Sequence, residues 1–157
     1  RDGFELSEVG SMLEKRGMKP TQTRSVLHRS IFALDVYHLL NWAEAAVINI
    51  NGRVPDEGTV VEAALAWHAA KAVVIYKKDD RAPFTGEDNP MLTCLSDLRV
   101  TAEIGELPAA VERELQRDRS GSVKHVLTLG KEIAQATREL TGTQELSRHL
   151  ADCVSAD

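Results

Sequence analysis

The stretch that most constrains this chain runs strand, acidic turn, alanine-rich helix, strand without interruption. The apolar run Ala45-Ala46-Val47-Ile48-Asn49-Ile50 leads into Asn51-Gly52-Arg53-Val54-Pro55-Asp56-Glu57-Gly58-Thr59-Val60-Val61-Glu62, and Ala63 to Ala70 leads out. Ala72-Val73-Val74-Ile75-Tyr76 follows, a continuous apolar run of the kind that parallel sheets bury on both faces. The turn between the first strand and the helix therefore falls where a parallel α/β sheet places its ligand crevice. Asp56 and Glu62 flank the Gly58-Thr59 pair there.

The rest of the chain reads around this unit. Phe4, Val9, Met12 and Leu13 fall at helical spacing, with Gly17 as the stop. A second helix is expected from about Ser25 to Trp42, with Val26, Leu27, Ile31, Leu34, Val36, Leu39 and Leu40 as its apolar set. The central helix should span about Gly58 to Ala70. Lys77 to Pro90, with Pro83 and Gly86, reads as a polar loop, and Leu98 to Ala102 as a weaker strand. Ala109 to Leu115 reads as a short helix. After Ser120-Gly121-Ser122 comes an amphipathic helix bearing Val126, Leu129, Ile133, Ala136 and Leu140, and beyond Gly142 a last helix with Leu146, Leu150 and Val154.

Strands alternating with helices predict an α/β fold: a doubly wound, flavodoxin- or Rossmann-like parallel sheet with additional C-terminal helices. Residues 1–118 form the α/β domain in this reading. Residues 119–157 form a helical extension that covers the sheet or makes a subunit interface. Met18 to Thr23 is thin where a further strand is due, and three strands make a small sheet for 157 residues. Residues before Arg1 and near Thr21 are accordingly expected to be missing from this chain.

Composition narrows the function classes. Hydrophobic residues at 43% and charged residues at 27% are ordinary for a globular protein, and a net charge of −5 argues against a nucleic-acid partner. No apolar run reaches membrane-spanning length and no secretory segment is visible, so neither a membrane partner nor export is expected. Cys94 and Cys153 lack metal or redox spacing, which suits reduced thiols in a cytoplasm. His28, His38, His68, His125 and His149 show no metal spacing, and no Gly-x-Gly-x-x-Gly is present, so neither a metal nor another cofactor is expected. No Gly-x-Ser-x-Gly elbow supports a serine triad. Trp42 and Trp67 read as core or interface anchors.

Two readings fit the acidic turn. Thr59-Val60-Val61-Glu62 matches a capping box, and Asp56 suits the positive end of a helix dipole. Alternatively, Glu62 is a carboxylate nucleophile favoured as an anion by that dipole, with Asp56 beside the leaving group. That is the constellation of retaining glycosyl transfer.

At this point the chain resembles the nucleoside 2-deoxyribosyltransferase family. The resemblance rests on Asp56-Glu57-Gly58-Thr59-Val60-Val61-Glu62 between two strands, on Asp35 upstream, on Asp80-Arg81 after the second strand, and on Asp88-Asn89-Pro90-Met91. It covers roughly Phe4 to Leu115 and is most specific from Asp35 to Met91. It implies that Glu62 attacks C1′ of a 2′-deoxyribonucleoside to give a covalent deoxyribosyl-enzyme. Asp56 serves the departing and incoming bases, and Asp35 orients Glu62 and contacts the sugar. Asn89 binds the sugar hydroxyl or Glu62 from an adjacent subunit, with Gly58, Thr59 and Met91 also at the substrate. The implied partners are a nucleoside or nucleotide and a free nucleobase, in a homodimer or higher homo-oligomer. Release to a second base is transfer, and release to water is hydrolysis.

The chain departs from the family's pattern in four places. The family's opening strand is absent before Arg1, Ala64 stands where a glycine is usual, Glu44 replaces an aspartate, and Asp35 is offset by one residue. Other readings remain open. Pro55-x-x-Gly58-Thr59-x-x-Glu62 is similar to the Pro-Gly-Gly-x-Gly-Thr-x-x-Glu motif of cytokinin-activating phosphoribohydrolases, but Asp56 and Glu57 replace the double glycine and would repel a 5′-phosphate. The same repulsion disfavours a hydrolase of deoxynucleoside monophosphates. Lys77, Lys78 and Arg81 could contact a phosphate, although such a run more often lies in a solvated loop. A non-catalytic nucleotide-binding module of the same fold is the third alternative.

Overall fold

The computed structural model describes residues 5–82 and 87–155; Phe4, Pro83 and Gly86, used in the readings above, lie outside them. The chain divides into two compact units, Arg1–Leu115 and Gln116–Asp157. The first holds a three-stranded parallel sheet in the order β1 (Ala45–Asn49), β2 (Ala72–Tyr76), β3 (Val100–Thr101). Ala45 pairs with Ala72, Asn49 with Tyr76, and Ile75 with Val100. The architecture is mixed α/β and mostly helical.

The two long strands match the sequence reading but differ in environment. All five residues of β2 are buried, as its unbroken apolar run requires. In β1, Val47 is 48% exposed while Ile48 is buried, and Ile50 just beyond the strand is fully buried. Ile48 and Ile50 therefore share one face with Val73 and Ile75, as period-2 alternation demands. Helix α3 (Glu57–His68) lays Ala63 and Ala66 on that face, where small side chains let it sit close. Leu39, Trp67, Leu92 and Leu95 complete the cluster. A further helix, Leu107–Leu115, also packs on β2 and β1.

The N-terminal helices depart more from expectation. Helix α1 (Leu6–Lys15) ends as read, with Gly17 at φ 88°. Helix α2 spans Pro20–Tyr37, five residues earlier than expected at its start, because Pro20 occupies the first helical position that its fixed φ favours. Met18 to Thr23 thus supplies the α1–α2 link and the opening turn of α2, with no strand. At its other end α2 passes into a π-helical turn, His38–Trp42. The two helices approach closely at buried Gly10, where a Cβ would lie 3.3 Å from Leu27 Cδ1 and 3.6 Å from Thr23 Cγ2. The apolar set assigned to α2 is mostly not core: Val26, Ile31 and Leu34 are exposed, and the helix buries only Thr23.

Short elements follow β2: α4 (Pro90–Thr93), a 3₁₀ turn at Cys94–Ser96, the two-residue β3, and a 3₁₀ turn before α5 (Leu107–Leu115). The second unit consists of α6 (Ser122–Glu139) and α7 (Thr143–Ser155), which pack on each other across the break at Gly142. No helix among the described residues is long and apolar enough to cross a membrane.

Candidate functional site

Two helical stripes build a groove. Phe32, Asp35, Val36 and Leu39 recur every three or four residues along α2 and the turn after it. Gly58, Val61, Glu62 and Leu65 do the same along α3. The stripes line a groove of about 340 Å³, within the size range of small-molecule sites. Asp35 and Glu62, 27 positions apart in sequence, are its carboxylates together with Glu57 at the start of α3. They also line an adjoining, more open cavity of about 470 Å³ with His38, Leu39, Trp42 and Ala43. Among the described residues neither the Asp35 nor the Glu62 side chain has a hydrogen bond or ion pair, and both residues are exposed. An ionised carboxylate is acceptor-only, so these two present unused lone pairs against mostly apolar walls.

The helix cap lies one turn earlier than Thr59-Val60-Val61-Glu62 predicts. Asp56, in extended conformation, is the N-cap of α3 and its Oδ1 accepts from the Thr59 amide at 3.0 Å. Asp and Thr both favour N-caps, and the aspartate three residues upstream wins because its carboxylate reaches the third amide directly. Thr59 is consequently inside the helix, and Glu62 makes no capping bond. Glu62 sits in the second turn, beyond the first turn where the macrodipole acts, so the dipole argument made for it does not hold. Gly58 permits this cap: a Cβ there would stand 3.0 Å from Asp56 Oδ1.

The structure therefore brings together Asp35, Gly58 and Glu62. Asp56 and Thr59, at the start of α3, and Asn89 and Met91, at the start of α4, are outside the set lining the groove. Asn89 caps α4, its Oδ1 accepting from the Met91 amide at 3.0 Å, and Met91 is 81% exposed. Trp67 packs partly buried against the core, as an anchor should. Trp42 is 63% exposed, with its ring 4.8 Å from that of His38.

The segment read as a solvated loop, Lys77-Lys78-Asp79-Asp80-Arg81, is irregular and exposed at Lys78, Asp80 and Arg81, but Lys77 is buried and several ties fix the segment at the C-terminal edge of the sheet. Asn51 Oδ1 accepts from the amides of Lys78 and Asp79 at 2.8 and 2.9 Å, and Asp79 Oδ2 accepts from the Gly52 amide at 3.1 Å. Arg81 Nε donates to both oxygens of Asp79 at 2.9 Å, and the guanidinium Nη2 also pairs with it. These bonds hold the Asp79 carboxyl well below the usual carboxylate range. Lys78 pairs with Glu103 at 3.1 Å, which raises its pKa. Lys77 is buried, and its Nζ donates to Asp88 Oδ1 at 2.5 Å and to the Arg81 carbonyl at 2.6 Å. Two signals could have revealed these residues: an Asn-Gly pair directly after a strand, and a lysine directly after a wholly apolar one.

Compared with known proteins, the chain matches no family model and no curated protein.

Proposed function

We propose that this chain moves 2-deoxyribose between nucleobases through a covalent deoxyribosyl intermediate on Glu62, as a nucleoside 2-deoxyribosyltransferase-like enzyme. The observation that carries the reading is that Asp35 and Glu62, singled out in sequence for this chemistry, line one groove and spend no lone pair on the protein. In the proposed step the Glu62 carboxylate bonds to C1′ as the C1′–N bond breaks. Asp56 gives a proton or hydrogen bond to the departing base through Oδ2, since Oδ1 is committed to Thr59. The incoming base returns that proton and releases Glu62; water in its place gives hydrolysis. Asp35 orients Glu62 across the groove.

The substrate is a nucleoside rather than its monophosphate in this reading. Lys77, Lys78 and Arg81, the cations that follow β2, each face a carboxylate, and Asp56 and Glu57 at the start of α3 would repel a phosphate. Asn89 does not line its own chain's groove, and in this reading it contributes from a second copy, as the family resemblance implies, which makes the enzyme a homo-oligomer. The full doubly wound sheet belongs to the same proposal. It is supported by the burial of β2 on both faces and by the packing of both α3 and α5 on it. A cytoplasmic location accords with the unpaired cysteines.

The test is incubation with a deoxynucleoside, with and without a second base, followed by chromatography. Exchange of bases supports transfer, and free base alone supports hydrolysis. No turnover by well-folded protein overturns the catalytic reading and favours a binding module.

A further inference from the structure

Lys77 sits where the apolar run of β2 ends, and its side chain is only 6% exposed. A leucine or methionine would fill such a position with less desolvation, because a buried ion pair seldom out-stabilises apolar side chains of similar volume. What the ammonium adds is position. It holds the Arg81 carbonyl and the Asp88 carboxylate, on two separate parts of the chain, at 2.6 and 2.5 Å. Asp88 directly precedes Asn89, whose side chain receives the Met91 amide and starts α4. On the other side, Arg81 is tied to Asp79, and Asp79 to Gly52 and Asn51 at the end of β1. Hydrogen bonds, joined through the backbone of Arg81 and of Asp88-Asn89, therefore connect the sheet's C-terminal edge to the first residues of α4.

We propose that Lys77 is a positioning residue whose ammonium, through Asp88, fixes where Asn89 and Met91 stand. What those two residues bind rests on the deoxyribosyl-transfer reading; that Lys77 positions them does not. A solely structural lysine would change thermal stability without changing the α4 entry in protein that remains folded.

Three variants decide this: Lys77→Met, Asp88→Leu and the double variant Lys77→Met/Asp88→Leu. In folded Lys77→Met the Met91 amide resonance moves and its hydrogen exchange accelerates, while amides of β1 keep their shifts. The KM for a deoxynucleoside rises about tenfold with kcat within about threefold, the pattern of a displaced binding group. The double variant leaves no unpaired charge and recovers thermal stability, yet its KM stays raised and its Met91 amide stays displaced. Recovery of KM and of the Met91 resonance together with stability overturns the proposal, as does an unmoved Met91 amide in folded Lys77→Met. Should Lys77→Met not fold, the double variant carries both readouts. If the unaltered protein turns over no deoxynucleoside, the transfer reading fails by itself and the amide readout still decides the role of Lys77.

Discussion

Two groups of carboxylates in this chain are treated in opposite ways. At the C-terminal edge of the sheet, Asp79 and Asp88 are spent: each is paired with a cation, and Asp79 also holds a backbone amide. In the groove between α2 and α3, Asp35 and Glu62 are unspent, with no partner among the described residues. The first pattern is what a loop needs in order to hold one shape. The second leaves acceptor capacity for something that is not protein. Residue type does not separate the two groups, since all four are carboxylates; their partners do.

That contrast can be broken most decisively at Glu62. Glu62→Ala is expected to lower turnover by about 10⁴-fold or more, the scale for loss of a nucleophile, while thermal unfolding moves within about 0.5 kcal/mol, as for a surface change. A large stability loss would place Glu62 among the spent carboxylates. Asp35→Asn should cost about 100-fold in kcat through misorientation of Glu62, again with unfolding unchanged.

Asp88→Ala should behave in reverse. It leaves the buried Lys77 ammonium without its carboxylate and is expected to cost about 2–3 kcal/mol in urea unfolding, somewhat less than a fully buried pair, since Asp88 retains 17% exposure. Asp56 stands between the two groups, with Oδ1 spent on the Thr59 amide and Oδ2 unspent, and Asp56→Ala should show it. Loss of the α3 cap costs about 1 kcal/mol, and turnover falls because the base loses its proton partner.

The smallest effect is in pH. Arg81 and the local amides hold the folded Asp79 carboxyl below its ordinary value of 3.8, so its stabilising contribution is complete above that value and is lost as pH falls through the folded pKa. Asp79→Asn should be less stable than the parent at neutral pH, and the difference should close only in strong acid. Circular dichroism across an acid titration reads this; a difference that closes between pH 5 and 7 would contradict it.

Legibility followed locality. β1, α3 and β2 could be read because each carries its own pattern: an apolar run, an alanine-rich helix, and a second run buried on both faces. The start of α2 was misplaced because Pro20 is at once a helix breaker and a favoured first residue, and only the context of Gly17 and Lys19 decides which. The cap was misplaced by one turn because Asp56 and Thr59 are both competent N-caps. The burial of Lys77 is signalled only by its place directly after the wholly apolar β2, since its partner Asp88 lies 11 residues away and the run Lys77-Lys78-Asp79-Asp80-Arg81 does not itself set it apart from Lys78. The candidate site divides likewise. Its residue types were readable from motif spacing, whereas the convergence of Asp35 on Glu62 depends on how α2 and the turn after it meet α3, which no local pattern encodes.

The most direct test of the unspent pair is intact-mass spectrometry of the protein quenched during incubation with a deoxynucleoside, followed by peptide mapping. The account predicts one added deoxyribosyl group on the peptide carrying Glu62, lost on adding a second base and absent in Glu62→Ala. Base release with the adduct on another residue, or with the same yield from Glu62→Ala, would contradict it.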